Sequence, residues 1–149
     1  MHFAEQESET MQPYQKFDIA KEEIVSTAQR MHAAGIPLIM IHGLVNAEGQ
    51  NVVSYEYGVD KGIESYQVTF ADNALPSVSA VYDAAAAWPE KELEELMGIQ
   101  FDGLDMPGRL FLPENLIDDR GHIIVTPLSE LREHRHFDGE GEGTETTQA

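Results

Sequence analysis

Between Pro37 and Ala71 the chain carries three consecutive segments of strand character, joined by connections that are hairpin-short, and this constrains the fold more than any other feature. Pro37–Asn46, PLIMIHGLVN, is a nearly continuous apolar run. Asn51–Val59 alternates, setting Val53, Tyr55, Tyr57 and Val59 on one face, and Gly62–Ala71 does the same with Tyr66, Val68 and Phe70. The connections AEGQ and DKG both supply a glycine. An antiparallel three-stranded meander follows. Upstream, Asp18 is placed to cap a helix in which Ile24, Ala28 and Met31 recur at helical spacing, with Gly35 and Pro37 as its stop. The expected class is α+β, with an N-terminal helix packed on one side of the meander.

After Pro76 the period changes. Val78, Val81, Tyr82 and Ala85 fall at i, i+3, i+4 and i+7, the spacing of a short amphipathic helix. Trp88–Pro89 is expected to interrupt it, with Pro89 as the first residue of a new helix that runs through Met97 and ends at Gly98. Beyond lie two short apolar runs, Arg109–Pro113 and His122–Pro127, separated by turn residues and read as an extended segment along the domain or along a partner. Residues 1–16 read as a flexible acidic arm, 17–128 as one α+β domain, and 129–149 as a disordered acidic tail.

Composition narrows the function. Nine basic residues against 27 acidic ones give a net charge of −18, a field that repels phosphate backbones and anionic lipid surfaces. Nucleic-acid binding is disfavoured on that ground. The absence of cysteine removes thiolate catalysis and cysteine-held iron–sulfur clusters from this chain. No stretch reaches the ~20 apolar residues of a helical membrane span. The acidic N-terminus is the opposite of a secretory signal. The expected location is cytoplasmic, with no direct membrane insertion, so that any membrane association runs through partner subunits.

Catalytic constellations are weak. Glu90, Glu92, Glu94 and Glu95 crowd one helix and would permit acid–base chemistry, but an acid-rich first turn, favoured by the helix dipole, accounts for them more simply. His134 and His136 alternate as metal ligands can, yet Arg132 and Arg135 flank them and no third spaced ligand follows. His42, inside an apolar strand, reads as a hydrogen-bonded structural histidine. Neither a nucleophile elbow nor a phosphate-cradling glycine loop occurs. No catalytic residue, metal site or cofactor site is assigned.

What stands out is the dense, aperiodic run from Ser77 to Glu114, SVSAVYDAAAAWPEKELEELMGIQFDGLDMPGRLFLPE. Pro76, Ser77, Val78, Val81, Tyr82, Ala86, Trp88, Glu90, Glu92, Glu95, Gly98, Ile99, Phe101 and Gly103 fall without a gap on a pattern that resembles the signature of the thirty-kilodalton-subunit family of respiratory NADH dehydrogenase and the related membrane-bound hydrogenases. Lys91 stands where arginine is usual. Downstream, Gly103–Arg109 loses a histidine and one arginine of the pattern, while Arg109, Leu112, Pro113 and Glu114 fit. Leu116 replaces a common tryptophan and the chain ends acidic. These departures look more like the small soluble subunit of energy-converting nickel–iron hydrogenases than the NADH dehydrogenase one.

The resemblance implies a non-catalytic scaffold subunit that braces the large catalytic subunit and the iron–sulfur small subunit of such a complex, peripheral on the inner face of the cell membrane. It implies a partner interface carried by Trp88, Glu90, Lys91, Glu92, Glu95, Arg109 and Pro113. At helical spacing Trp88 shares a flank with Lys91, Glu92 and Glu95, while Leu93, Leu96 and Met97 form a stripe suited to the domain's own core. An aromatic beside both charge signs suits an interface anchor, and it equally suits a cap on the sheet. Arg109 suits a partner carboxylate or an internal pair with Asp102 or Asp105. The competing reading is a stand-alone acidic protein that handles nickel or zinc; it explains the charge but not the signature.

Overall fold

The computed structural model describes residues 13–113. Within them the chain builds β1 (Tyr14–Asp18), a single 3-10 turn (Lys21–Glu23) leading into α1 (Ile24–Ala33), β2 (Leu38–Val45), β3 (Asn51–Val59), β4 (Gly62–Phe70), β5 (Ala74–Pro76), α2 (Ser79–Tyr82), α3 (Ala84–Met97) and β6 (Gln100–Asp102). The expected arm before residue 13, and the expected extended segment and acidic tail after residue 113, lie outside the described residues.

The meander is present as β2–β3–β4, antiparallel throughout, and the class is α+β. The sheet itself is larger. Its order is β1-β4-β3-β2, and β1 runs parallel to β4 with Tyr14 opposite Ile63 and Asp18 opposite Gln67. Residues 14–16, expected in the arm, are therefore strand, and the helix expected near Asp18 begins only after the turn at Lys21. The cause lies in β4, whose second edge would otherwise expose its backbone groups. Pro13 accepts the Ile63 N–H at 2.9 Å, Gln67 accepts that of Ile19 at 2.9 Å, and Phe17 stacks on Tyr66 with ring centroids 5.0 Å apart. Helix entry is fixed by Glu23, whose carboxylate accepts the Ala20 N–H at 2.7 Å.

All three helices lie on one side of the sheet. Ile24, Ala28 and Met31 of α1 are buried, as are Tyr55, Tyr57 and Val53 of β3 and Val68 of β4. Tyr82 crosses this core, its ring 6.0 Å from that of Tyr57 and its hydroxyl donating to the Ile36 carbonyl at 2.7 Å. A second, two-stranded parallel sheet, β5 with β6, pins the two ends of the α2–α3 unit together and buries Leu75 and Ile99.

The helical break falls earlier than Trp88–Pro89. It sits at Asp83, the only described non-glycine residue at positive φ (48°), and α3 then runs unbroken through Pro89. Pro89 removes one backbone donor, which would have met the carbonyl of Ala85. Ala85 lies at the surface, where water can take that bond. Four successive alanines before Trp88 carry the helix start upstream of the proline. Gly98, left-handed at φ 69°, ends α3 as expected. Helix α3 packs against β2 at Gly43: a Cβ there would meet the Met97 sulfur at 2.6 Å and Leu93 Cδ2 at 3.1 Å, so any side chain at 43 would make Met97 and Leu93 shift.

Candidate partner interface

The outward stripe of α3 is Trp88, Glu92 and Leu96, at i, i+4 and i+8, all exposed. Its inward side carries Ala86, Glu90, Leu93 and Glu95. Leu96, expected in the core stripe, faces out, while Lys91 and Glu95, expected beside Trp88 at the surface, are buried. The reason is the next segment of chain. Glu95 accepts the backbone N–H groups of Leu110, of Phe111 at 2.8 Å and of Leu112 at 3.4 Å, folding residues 110–112 back along the helix. Burial alone would raise the Glu95 carboxyl; those three amides and the nearby Lys91 ammonium outweigh it and hold the group below its ordinary value. Lys91 itself bonds Glu94 at 3.1 Å.

Glu90 is fully buried and serves the domain. Its Oε2 accepts the Ser77 hydroxyl at 2.6 Å and its Oε1 the Val78 N–H at 2.7 Å, which fixes the start of α2. The Ser77 proton is thereby committed, so Ser79 Oγ, 2.7 Å away, is the donor of that pair. Burial pushes the Glu90 carboxyl upward, with these two donors opposing. Of the four glutamates on α3, then, Glu90 and Glu95 are saturated by internal donors, Glu94 holds Lys91, and Glu92 points to solvent. They form no common acid–base site.

With Leu110–Leu112 pinned, a groove of about 570 Å³ opens between Ile39–Gly43 of β2, the Trp88–Leu96 side of α3, and Leu110–Phe111. Its lining is unusual for an outer surface: Trp88 is 53% and Phe111 62% exposed, and Ile39, Met40 and Leu96 are exposed beside them. Contiguous exposed apolar side chains of this size mark interaction sites far more often than bare solvent-facing surface. Glu92 supplies one charge at its rim. Of the residues expected at a partner surface, Trp88 and Glu92 line the groove, while Arg109 and Pro113 are exposed in the segment that carries Phe111. Among the described residues Arg109 pairs with neither Asp102 nor Asp105.

Ile39, Met40 and Phe111 were not legible as site residues from sequence. PLIMIHGLVN reads only as a nearly continuous apolar strand, and in the structure β2 is the last strand of its sheet and bulges between Leu38 and Met40, turning Ile39 outward. Its apolar run on both faces was the available signal. His42 makes the hydrogen bond expected of it, to Glu56 Oε1 at 2.9 Å. No group of three potential metal-ligating residues occurs among the described residues, and His134 and His136 lie outside them.

No helix of the described residues is long and apolar enough to cross a membrane. No curated protein matches the chain significantly. Among solved structures it is similar to a chain of the membrane-bound sulfane sulfur reductase, an archaeal respiratory membrane complex, with a TM-score of 0.65 and 16% identity over 93% of this chain and 88% of that one; the likeness establishes a shared fold. The sequence profile of the respiratory-chain NADH dehydrogenase 30 kDa subunit matches residues 17–133, spanning the signature, the groove and β2–β4 of the sheet, and the chain belongs to that family of respiratory-complex subunits.

Proposed function

We propose that this chain is a non-catalytic scaffold subunit that seats the large catalytic subunit of a membrane-associated oxidoreductase complex, of the NADH dehydrogenase or nickel–iron hydrogenase type, in the groove between β2 and α3. The chain braces that subunit against the complex's iron–sulfur subunit, on the cytoplasmic side of the membrane. The observation that carries this reading is the exposure of Trp88 and Phe111 across one groove, whose 110–112 wall Glu95 ties to α3 by its backbone. Large aromatics are the usual energetic centre of an interface. The net charge of −18 speeds encounter with a basic partner and disfavours an acidic one. Arg109 and Pro113, exposed on either side of residues 110–112, belong to the same contact.

The test is copurification. An N-terminal affinity tag, gentle solubilisation of membranes and mass spectrometry should recover a large catalytic subunit together with an iron–sulfur subunit. Trp88→Ala combined with Leu96→Asp should abolish that recovery while the tagged chain stays folded. Recovery of the wild-type chain alone would overturn the reading.

A further inference from the structure

The face of the sheet opposite the helices carries a second cluster, which meets the groove only at Met40 and His42 on the edge strand. Cross-strand register places Met40, His42 and Leu44 of β2, Ser54 and Glu56 of β3, Ser65 of β4 and Tyr14 and Lys16 of β1 on this side. Glu56 sits at its centre, only 6% exposed. Three donors converge on one of its oxygens: the Tyr14 hydroxyl at 2.8 Å, the Ser65 hydroxyl at 2.8 Å and His42 Nε2 at 2.9 Å, all to Oε1. Burial would raise this carboxyl, but the three hydrogen bonds outweigh it and hold it below its ordinary value, so it is ionised at neutral pH.

Its second oxygen accepts nothing among the described residues. It is not among the fully buried unpartnered atoms of the described residues, which are the Tyr55 and Tyr57 hydroxyls. Lys16, one strand-pair away on the same face, does not neutralise it; its ammonium lies 5.7 Å from the Tyr14 ring centroid and pairs with no carboxylate among the described residues. A carboxylate oriented through one oxygen, with the other unpartnered among the described residues, is a receptor for a cationic hydrogen-bond donor. Its surroundings are apolar and exposed: Leu44 at 49%, with Met40 and Tyr14 comparable. A planar, weakly hydrated guanidinium that can lie against an aromatic ring fits such a rim better than a compact, strongly hydrated ammonium.

We infer that this sheet face is a second docking surface, taking an arginine-bearing segment of a different subunit from the one in the groove, with the guanidinium seated on Glu56 Oε2 and apolar side chains against Leu44 and Met40. Charge complementarity between that oxygen and the cation selects the occupant. The inference rests on the scaffold reading and deepens it: one small domain bridges two partners through two faces, the β2–α3 groove and the open sheet.

Two measurements test it. In the full-length free chain, methylguanidinium should give saturable amide shifts at Glu56, Ser65 and His42, weakened at least tenfold by Glu56→Gln and absent with uncharged methylurea. Shifts spread over exposed acids, or unchanged by Glu56→Gln, would overturn the site. In the assembled complex, p-benzoylphenylalanine in place of Leu44 should photo-crosslink one subunit, and in place of Leu96 another. A crosslink from position 96 with none, or only an intramolecular one, from position 44 defeats the second surface and leaves the scaffold reading standing; no intersubunit crosslink from either position defeats both.

Discussion

Glu95 holds Phe111 by its backbone: the carboxylate oxygen accepts the Phe111 N–H at 2.8 Å across 16 residues of chain, and the neighbouring amides of Leu110 and Leu112 turn toward the same group. One buried acid thus converts the segment after Gly108 into a wall of the groove. Without it, nothing else among the described hydrogen bonds ties residues 110–112 to α3.

Glu95→Ala is therefore expected to release that segment. It leaves three amides without their acceptor, at a cost of about 1–3 kcal/mol tempered by water reaching the freed groups. Hydrogen exchange at Phe111 and Leu112 should accelerate while α1 and β3 stay protected, and copurification of the large subunit should fall. Because the folded-state value lies below the ordinary one, the contribution of Glu95 is present above roughly pH 4.3 and is lost as pH falls through that lower value. The stability difference between wild type and Glu95→Gln should shrink on acidification, measured by urea unfolding across pH. Unchanged exchange at Phe111 would show that the segment is held by other means.

Trp88→Ala separates interface from core. Half of the side chain is already exposed, so its truncation should cost the free domain about 1 kcal/mol or less. Recovery of the large subunit should drop at least tenfold if the residue anchors it. Leu75→Ala, at a fully buried position in β5, should do the reverse and cost roughly 2–5 kcal/mol of fold. Urea unfolding and pull-down on the same preparations read both quantities. Equal loss of stability in the two variants would make Trp88 a structural residue.

Tyr55 and Tyr57 place buried hydroxyls in the core without a hydrogen-bond partner among the described residues. Burial first, then the Glu90 charge for Tyr55 and the Tyr82 ring for Tyr57, pushes both phenols far above their ordinary value, so both stay protonated. Deleting an unsatisfied buried hydroxyl removes a desolvation penalty and leaves the ring packing intact. Tyr55→Phe and Tyr57→Phe should each be neutral or stabilising, by up to about 1–2 kcal/mol in chemical unfolding. Loss of stability in both would reveal partners for these hydroxyls.

The fold was legible wherever a local pattern decided it. The alternation in Asn51–Val59 and Gly62–Phe70 and the glycine turns specify the meander, and Gly98 specifies the end of α3. What stayed hidden depended on long-range pairing. Tyr14–Asp18 has no strand signal strong enough to stand out from an acidic arm; it is a strand because β4 offers a free edge and Tyr66 a ring to stack on. Glu90 and Glu95 look like a solvated acidic face because helical spacing records where residues lie around an axis, not what chain returns to cover them. Residues 110–112 and the Ser77–Val78 turn do the covering. Trp88 suited an interface anchor and a cap on the sheet equally; it is exposed, and its neighbours across the groove, Ile39 and Phe111, come from segments far away in sequence.

Glu90 gives the chain a pH dependence opposite in sign to that of Glu95. Burial lifts its folded-state value above the ordinary one despite the Ser77 and Val78 donors, so the folded protein binds that proton more tightly than the unfolded chain does. Its favourable contribution is fully present below about pH 4.3 and declines as pH rises through the lifted value. Glu90→Gln is the right comparison, since the amide oxygen can still accept the Val78 N–H and the amide NH₂ can donate to Ser77 Oγ, which frees the Ser77 proton for Ser79. That substitution removes the titration and keeps the contacts. Relative to the variant, wild type should gain stability steadily as pH is lowered from 7 toward about 4.3, by roughly 1.4 kcal/mol for each unit by which the value is lifted. Urea unfolding of both proteins across that range measures it. A difference that does not vary with pH would mean that the Ser77 hydroxyl and the Val78 amide fully offset the burial, and that the carboxylate at the root of α2 folds ionised at no cost.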